Sequence, residues 1–344
     1  MRRRSDTLRE NRRWEPIFDE KGFPRGKTQN ETGKAVEVSV FVPWGALSTL
    51  STRSVNRNLL TKSQKHTTIK IEKQFWGIKM IYLAYFIIYA FIFTFGGVIG
   101  SFLNVCIYRL PTGESIAVGG SHCMSCNQKI KKYDLIPIIS YIILKGKCRS
   151  CDAKISPRYM IVELLNAVLY VLTFAYFGLN APVEAAFVCV LLSCLIIVFF
   201  MDLDTQLISL SVVCVIGILA VAKLILTGFG IGGFKNPISL TYILGGAAAV
   251  SVPFFVIYLI SKKKALGSGD IILMLAAGAY LGLKAVLVAV FIGLVTGSIA
   301  GLITKYKSGS SKFAFGPWLS LGIAISVFFG DFLADLYLKL SGLN

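Results

Sequence analysis

Long, continuous apolar runs dominate the chain from Met80 onward. Most are about 20 residues long, the length that a helix needs to cross a hydrocarbon core of roughly 30 Å. Because the runs are continuous rather than alternating, helices are expected and a β-barrel is not. We predict eight transmembrane helices, over Met80–Ile107, Tyr159–Phe177, Ala181–Met201, Leu207–Thr227, Ser239–Ile260, Ile271–Leu283, Ala285–Thr304 and Gly316–Leu338. The sixth is short, which predicts a tilted or broken helix.

Composition supports this all-α polytopic membrane fold, and the basic residues predict its orientation. Of the 344 residues, 55% are hydrophobic and only 16% are charged, and the mean hydropathy is +0.67. Nine Lys and Arg residues lie within 108–158, and further lysines lie within 262–264 and 305–312. Eight helices put these three loops on one side of the lipid bilayer. The positive-inside rule then assigns that side to the cytoplasm.

The segment 1–79 differs from the rest of the chain. It holds 17 of the 36 Lys and Arg residues and 8 of the 18 Asp and Glu residues, so half of the net charge of +18 lies there. A nucleic-acid partner is one interpretation of such a basic segment. Its weak hydrophobic periodicity and many turn-forming residues favour a disordered or spurious N-terminal extension instead. We therefore expect no nucleic-acid partner.

Four cysteines form two Cys-x2-Cys pairs, Cys123 with Cys126 and Cys148 with Cys151, separated by 21 residues. This spacing is typical of a structural zinc site, in which each pair supplies two thiolates to one tetrahedral centre. The predicted cytoplasmic side is reducing, which disfavours disulfides. The alternative is two redox-labile or incidental cysteine pairs.

Two aspartates are predicted to lie at the same membrane depth. Asp202 directly follows the third predicted helix, and Asp270 follows Gly267-Ser268-Gly269 directly before the sixth. Ionisable residues in membrane helices are costly and usually functional. Two carboxyl groups in one site can divide the roles of general base and general acid. The alternative is a pair of interfacial charges at helix ends, with Asp270 a helix N-cap.

Together these motifs resemble the bacterial prepilin peptidases, the type IV prepilin leader peptidases of the GxGD aspartic peptidase group. The likeness runs from about Phe95 to Leu321. Besides the cysteine pairs, it includes Gly100–Val105, Tyr108–Pro111, Gly146–Arg149, Ile155–Tyr159, Asp202–Asp204 with Ile208, Gly267–Asp270 and Phe315–Pro317.

The resemblance implies that Asp202 and Asp270 are the catalytic aspartates. Asp202 is preferred to Asp204 because the family's aspartate lies six residues before an isoleucine, here Ile208. It implies cleavage of the basic leader of type IV prepilins or pseudopilins at the cytoplasmic face of the bacterial inner membrane. In many members, methylation of the new N-terminal amine follows, with S-adenosylmethionine as methyl donor. That second activity is linked to the cysteine-containing region.

The sequence departs from the family's pattern in three places, at four positions. Met124 stands where the family has Pro, Ser209-Leu210 where it has Pro-Asp, and Ile272 where it has Lys. None of these changes removes a predicted catalytic carboxylate or zinc-binding thiolate. The change at 272 removes a positive charge expected near Asp270.

We expect three segments and leave two other functions open. The segments are the extension 1–79, the first transmembrane helix with the Cys-rich loop at 80–158, and a transmembrane aspartic peptidase domain at 159–344. An intramembrane peptidase of the presenilin type shares Gly-x-Gly-Asp, but the cysteine tetrad speaks against it. A transporter or assembly protein would use Asp202 and Asp270 to bind a cation.

Overall fold

The computed structural model of the protein describes residues 17–18, 24–29, 35–38, 62–231, 234, 239–263, 266–308 and 313–342. Contacts divide the chain into two units, Met1–Ile78 and Lys79–Asn344. The first contains an antiparallel sheet in the order β1-β2-β3, formed by Ile17–Phe18, Pro24–Gln29 and Ala35–Val38. The prediction that 1–79 is a disordered or spurious extension falls mostly outside the described residues and stays a prediction.

The described residues form nine helices, and in the second unit the regular structure is helical apart from two isolated β-bridges. The helices are α1 Lys62–Thr112, α2 Ile139–Ile143, α3 Arg158–Phe177, α4 Pro182–Thr205, α5 Leu210–Gly228, α6 Leu240–Ile260, α7 Ser268–Leu281, α8 Leu283–Ser308 and α9 Gly316–Ser341. A short 3-10 helix, Lys132–Leu135, precedes α2.

The predicted all-α membrane fold is confirmed. Among the described residues, seven helices are long and apolar enough to cross a membrane: α1 from Trp76 onward, α3, α4, α5, α6, α8 and α9. The chain is therefore a multi-pass membrane protein. Helix α7 has only 14 residues, about 21 Å of helix against the roughly 30 Å of a hydrocarbon core. The count of about eight crossings thus stays a prediction.

Helix α7 is also where the predicted broken helix lies. Only Gly282 separates α7 from α8, and its φ of +79° is in the region that favours glycine. Helix α6 packs tightly on α7, because the backbones of Gly246 and Gly278 touch. The Tyr242 hydroxyl of α6 donates a hydrogen bond to the carbonyl of Leu281, at the end of α7.

Helices α4 and α7 supply much of the core. Leu191 and Val198 on α4 and Leu273 and Met274 on α7 have no exposed surface. Helix α4 contacts α3, α5 and α9, and α7 contacts α5, α6, α8 and α9. The last turn of α4 and the first turn of α7 carry the two predicted catalytic aspartates. The residues of the candidate site are therefore held by the best-packed helices of the bundle.

Helix α1 approaches α3 closely through two glycines one turn apart. A Cβ atom on Gly96 would lie 2.8 Å from the Cα of Ala167, and one on Gly100 would lie 2.7 Å from the Cα of Glu163. Small residues spaced in this way let membrane helices pack backbone to backbone. The buried amide of Asn166 reinforces the contact by donating to the Gly96 carbonyl at 2.7 Å.

Candidate active site

Asp202 is held at the beginning of α9. Its carboxyl group is buried, and one oxygen, Oδ2, accepts a hydrogen bond from the backbone N–H of Gly316 at 2.9 Å. Gly316 and Pro317 open α9, so the carboxyl group lies at a helix N-terminus, where a negative charge is favoured. A Cβ atom on Gly316 would lie 2.8 Å from the same oxygen. Glycine is required here because a side chain would displace the carboxyl group.

Asp270 is held by its own helix. It lies in the first turn of α7 and is buried, and its Oδ2 atom lies 3.1 Å from the place of a Cβ on Gly267. Gly267 is the N-cap residue, so Asp270 reaches back to it from the third helical position, as in a capping box. The alternative in which Asp270 itself is the N-cap is therefore wrong.

The structure brings the two aspartates together. Both line one cavity of about 810 Å³, the aspartate cavity. They are close enough for the charge of Asp202 to act on Asp270. Ile208 lies between the segments that hold them. Its side chain is 3.0 Å from the place of a Cβ on Gly269 and 3.2 Å from the place of one on Gly316.

The rest of this aspartate cavity is mainly apolar. Leu210 and Ile272, two of the positions that depart from the family's pattern, both line it. Among the described residues that line the cavity, the basic side chain is that of Lys263. The neighbouring Lys264, part of the predicted basic loop, lies outside the described residues, as does Lys312.

Two other acidic residues have roles away from the aspartate cavity. Asp204 forms a two-oxygen ion pair with Arg158 Nη1, at 2.6 and 2.8 Å. This pair joins the start of α3 to the end of α4. Glu163 instead accepts a hydrogen bond from the Ile138 backbone N–H at 2.7 Å, so it supports the loop before α2 rather than the aspartates.

The four cysteines of the Cys-rich loop also come together. Their Sγ atoms all lie within 4.8 Å of one another, and those of Cys123 and Cys151 are 3.8 Å apart. Zinc bound at roughly 2.3 Å to each sulfur of a tetrahedron would place neighbouring sulfurs about 3.8 Å apart. The arrangement therefore fits a closed four-thiolate zinc site, with no position open for a substrate.

The two cysteine pairs have matching local structure. In each, the backbone N–H of the first cysteine donates a hydrogen bond to the carbonyl five residues later, in Gln128 or Ala153. The carbonyl of the same cysteine accepts a hydrogen bond from the backbone N–H four residues later, in Asn127 or Asp152. Asn127 and Asp152, each four residues after the first cysteine of its pair, have φ values of 55° and 54°. The backbone N–H groups of Cys126 and Ser125 lower the pKa of the Cys123 thiol to about 6. The Cys123 thiolate is thereby favoured at neutral pH, whereas at Cys151 the Ala153 backbone N–H is outweighed by the three neighbouring thiols, which raise the pKa to about 12.

Comparisons with known proteins agree with this geometry. Residues 94–177 match the bacterial peptidase A24 N-terminal domain, and residues 189–302 match the type IV leader peptidase family. The chain belongs to this peptidase family. The first match contains all four cysteines, and the second contains both aspartates. Membership makes the chain an enzyme of the leader peptidase class.

Curated relatives match about two thirds to three quarters of the chain. The type 4 prepilin-like proteins leader peptide-processing enzyme of Escherichia coli O78:H11 is 34% identical over 252 residues, 67% of this chain and 90% of the relative. The prepilin leader peptidase/N-methyltransferase of Neisseria gonorrhoeae is 32% identical over 255 residues, 66% of this chain and 85% of the relative. The prepilin leader peptidase/N-methyltransferase of Bacillus subtilis is 30% identical over 256 residues, which are 73% of this chain and 98% of the relative. No solved structure matches the chain.

Sequence reasoning did not assign the contacts that hold these side chains. Phe315-Gly316-Pro317 was recognised only as part of the family's pattern, because a backbone N–H that meets a carboxylate 114 residues away leaves no local signal. The Arg158–Asp204 pair was missed for the same reason. Glycine next to proline at a predicted helix start was the available signal for a close backbone approach.

Proposed function

We propose that this chain cleaves the basic leader peptide from type IV prepilins or pseudopilins, with Asp202 and Asp270 as an aspartic dyad. The observation that carries the proposal is that these two buried carboxyl groups line one cavity, in a chain that belongs to the leader peptidase family. The printed names of the relatives support prepilin processing as the reaction.

The dyad supplies an acid and a base to the same peptide bond. Close carboxyl groups do not both ionise readily, so one holds a proton while the other is charged. The charged group takes a proton from a water molecule, which attacks the scissile carbonyl carbon. The protonated group donates to the carbonyl oxygen, and the leaving amine then receives a proton as the C–N bond breaks. The Gly316 N–H holds the Asp202 carboxyl group during these transfers, and Asp270 is held beside Gly267 in the first turn of α7.

The cavity suits an extended peptide with an apolar segment. Gly267 keeps a side chain away from Asp270, so a substrate backbone can approach closely, and Gly269 makes room for Ile208 instead. Leu210 and Ile272 add apolar surface where the family usually has charged residues. We infer that this chain accepts apolar side chains near the scissile bond.

We place this reaction at the cytoplasmic face of a bacterial inner membrane. The Arg158–Asp204 ion pair joins the start of α3 to the end of α4, so the basic loop 108–158 lies at the same end of the bundle as Asp202. Basic loops face the cytoplasm in membrane proteins.

We propose that methylation of the new N-terminus follows cleavage and that zinc stabilises the Cys-rich loop. Relatives named prepilin leader peptidase/N-methyltransferase support the methylation. S-adenosylmethionine would supply the methyl group. Zinc would be held by Cys123, Cys126, Cys148 and Cys151, and its closed thiolate shell gives it a structural role.

Cleavage of a synthetic prepilin by the purified full-length protein in detergent tests the function. Mass spectrometry should show the leader and the mature fragment, and the fragment should gain one methyl group when S-adenosylmethionine is added. Intact substrate for every prepilin and pseudopilin offered would contradict the proposal. It would favour the alternative of a transporter or assembly protein that binds cations at the two aspartates.

A further inference from the structure

A second cavity, the Glu163 cavity, lies between the end of α1, the start of α3 and the Cys-rich loop. Its volume is about 480 Å³, within the range of sites for small organic ligands. Its walls include Ser101 from α1, Glu163 from α3, and Cys123 and Cys148 from the loop. The peptidase mechanism uses none of these residues.

Glu163 places a buried carboxyl group in this second cavity. The residue is 9% exposed, and its Oε2 atom accepts from the Ile138 N–H at 2.7 Å. Within the part of the chain that the structure describes, no Lys or Arg group forms an ion pair with it. A buried carboxylate without a cationic partner is costly, so the cavity favours a ligand that brings a positive charge.

The other acidic side chains of this cavity differ from Glu163 in this respect. Asp134 is paired with Arg149 at 2.6 Å. Glu114 has a side chain that is 56% exposed, and its Oε2 atom lies 4.0 Å from Arg109 Nε. Glu163 is therefore the acidic group of the described lining that is both buried and without an ion pair.

The backbone next to Glu163 is strained. Ile138 has a φ of +63°, which a β-branched residue rarely adopts. Its N–H points to Glu163, and such strain is characteristic of functional sites. The carboxyl group thus has one fixed contact with the loop and is set in a defined orientation.

Aromatic side chains indicate what kind of cation fits. Tyr108, Tyr141 and Tyr159 all line the cavity. Aromatic rings with one carboxylate suit a sulfonium or ammonium group, which is attracted to ring faces. A metal ion would require several oxygen ligands instead. The size of the cavity also leaves room for the organic body of such a ligand.

We propose that the Glu163 cavity binds the organic cation of the methylation step, either the sulfonium methyl donor or the new N-terminal ammonium group of the cut substrate. This inference rests on the proposed function, because methylation follows cleavage. Before that step the N-terminal ammonium group releases one proton to water. The methyl–sulfur bond then breaks, its electrons stay on sulfur as a neutral thioether, and a carbon–nitrogen bond forms with the neutral amine. The methylated amine then releases one proton to water.

The position of the Glu163 cavity fits this order of events. Tyr159 lines it one residue after Arg158, whose partner Asp204 lies two residues from Asp202. The two cavities are therefore at the same end of the helix bundle. A cut substrate can present its new N-terminus to the second cavity without crossing the membrane.

Equilibrium binding to the purified full-length protein tests the proposal. The probes are labelled S-adenosylmethionine and a short peptide with a free N-terminal Phe. Glu163→Gln keeps an oxygen for the Ile138 N–H but removes the charge, so it should weaken binding of one probe by about tenfold or more. The matched control is Asp335→Asn, an exposed acid of α9 that does not line the cavity, which should change either affinity by less than about twofold.

A second variant separates binding from folding. Tyr108→Leu should weaken the same probe, whereas Tyr108→Phe, which keeps the ring, should not. Weaker S-adenosylmethionine binding identifies the donor as the ligand, and weaker peptide binding identifies the N-terminal amine. Unchanged binding of both probes in Glu163→Gln and Tyr108→Leu overturns the inference, as does a wild-type protein that binds neither. Uncut prepilin with the wild-type protein would instead refute the peptidase proposal, so the two failures are distinct.

Discussion

At the scale of single residues, the candidate site depends on backbone contacts as much as on side chains. The carboxyl group of Asp202 is fixed by the Gly316 N–H, and that of Asp270 lies against the backbone of Gly267. Positions without a side chain therefore determine where the reactive groups lie. Substitution of these glycines tests the geometry without touching either aspartate.

Gly316→Ala should impair cleavage while the protein stays folded. The added Cβ would lie 2.8 Å from Asp202 Oδ2, so the carboxyl group must move. Misplacing a catalytic group by about 1 Å can lower the rate by roughly 100-fold. The control is Gly217→Ala on α5, where a Cβ meets nothing within 4 Å. Equal turnover of prepilin by both variants in an initial-rate assay would show that Gly316 does not position Asp202.

At the scale of elements, α7 is held in place by close packing on α6. Adjacent glycines of α6 differ sharply in their surroundings. A Cβ on Gly246 would collide with the Gly278 carbonyl oxygen, whereas one on Gly245 meets nothing within 4 Å. Since α7 carries Asp270, this contact also fixes one half of the aspartate site.

Gly246→Ala should therefore lower stability, and Gly245→Ala should not. Overpacking of this kind costs about 1–3 kcal/mol, which lowers the melting temperature of the detergent-solubilised protein by several degrees. Thermal unfolding followed by circular dichroism measures the difference. Identical melting temperatures for the two variants would contradict the packing of α6 on α7.

The Cys-rich loop is the second element whose structure can be tested directly. Metal analysis should find about one zinc ion per chain, because four thiolates fill a tetrahedral site. Replacing all four cysteines by serine should abolish zinc binding and expose the loop within 108–158 to proteases. Cys214→Ser, which removes an exposed thiol of α5, should keep the zinc. A wild-type protein without zinc, or a serine variant that retains it, would refute the site.

At the scale of the whole molecule, the sequence predicted the helices better than the contacts between them. Hydropathy placed six of the seven long helices within a few residues of their bounds, because a membrane span must be apolar along its length. The start of α1 at Lys62 was missed, since polar residues precede the apolar run. The carboxylate partners Gly316 and Arg158 were missed because they depend on how distant helices meet.

The aspartate pair is likewise a property of the whole molecule, because α4 and α7 bring Asp202 and Asp270 into one cavity from positions 68 residues apart in the chain. The loop charges suggested that both lie at one membrane face. Their catalytic role is the central claim of the proposed function. The neighbouring Asp204 is paired with Arg158, so its role can be tested separately from that of the two proposed catalytic aspartates.

Prepilin cleavage by Asp202→Asn, Asp270→Asn and Asp204→Asn, compared in one mass-spectrometric assay, tests this claim most directly. Asparagine keeps the size of each side chain and removes its ability to transfer a proton. The first two variants should cut the substrate at least about 1,000-fold more slowly than the wild type, because general acid–base catalysis is lost. Asp204→Asn should retain most of the rate. Normal leader removal by Asp202→Asn or Asp270→Asn would contradict the aspartic dyad.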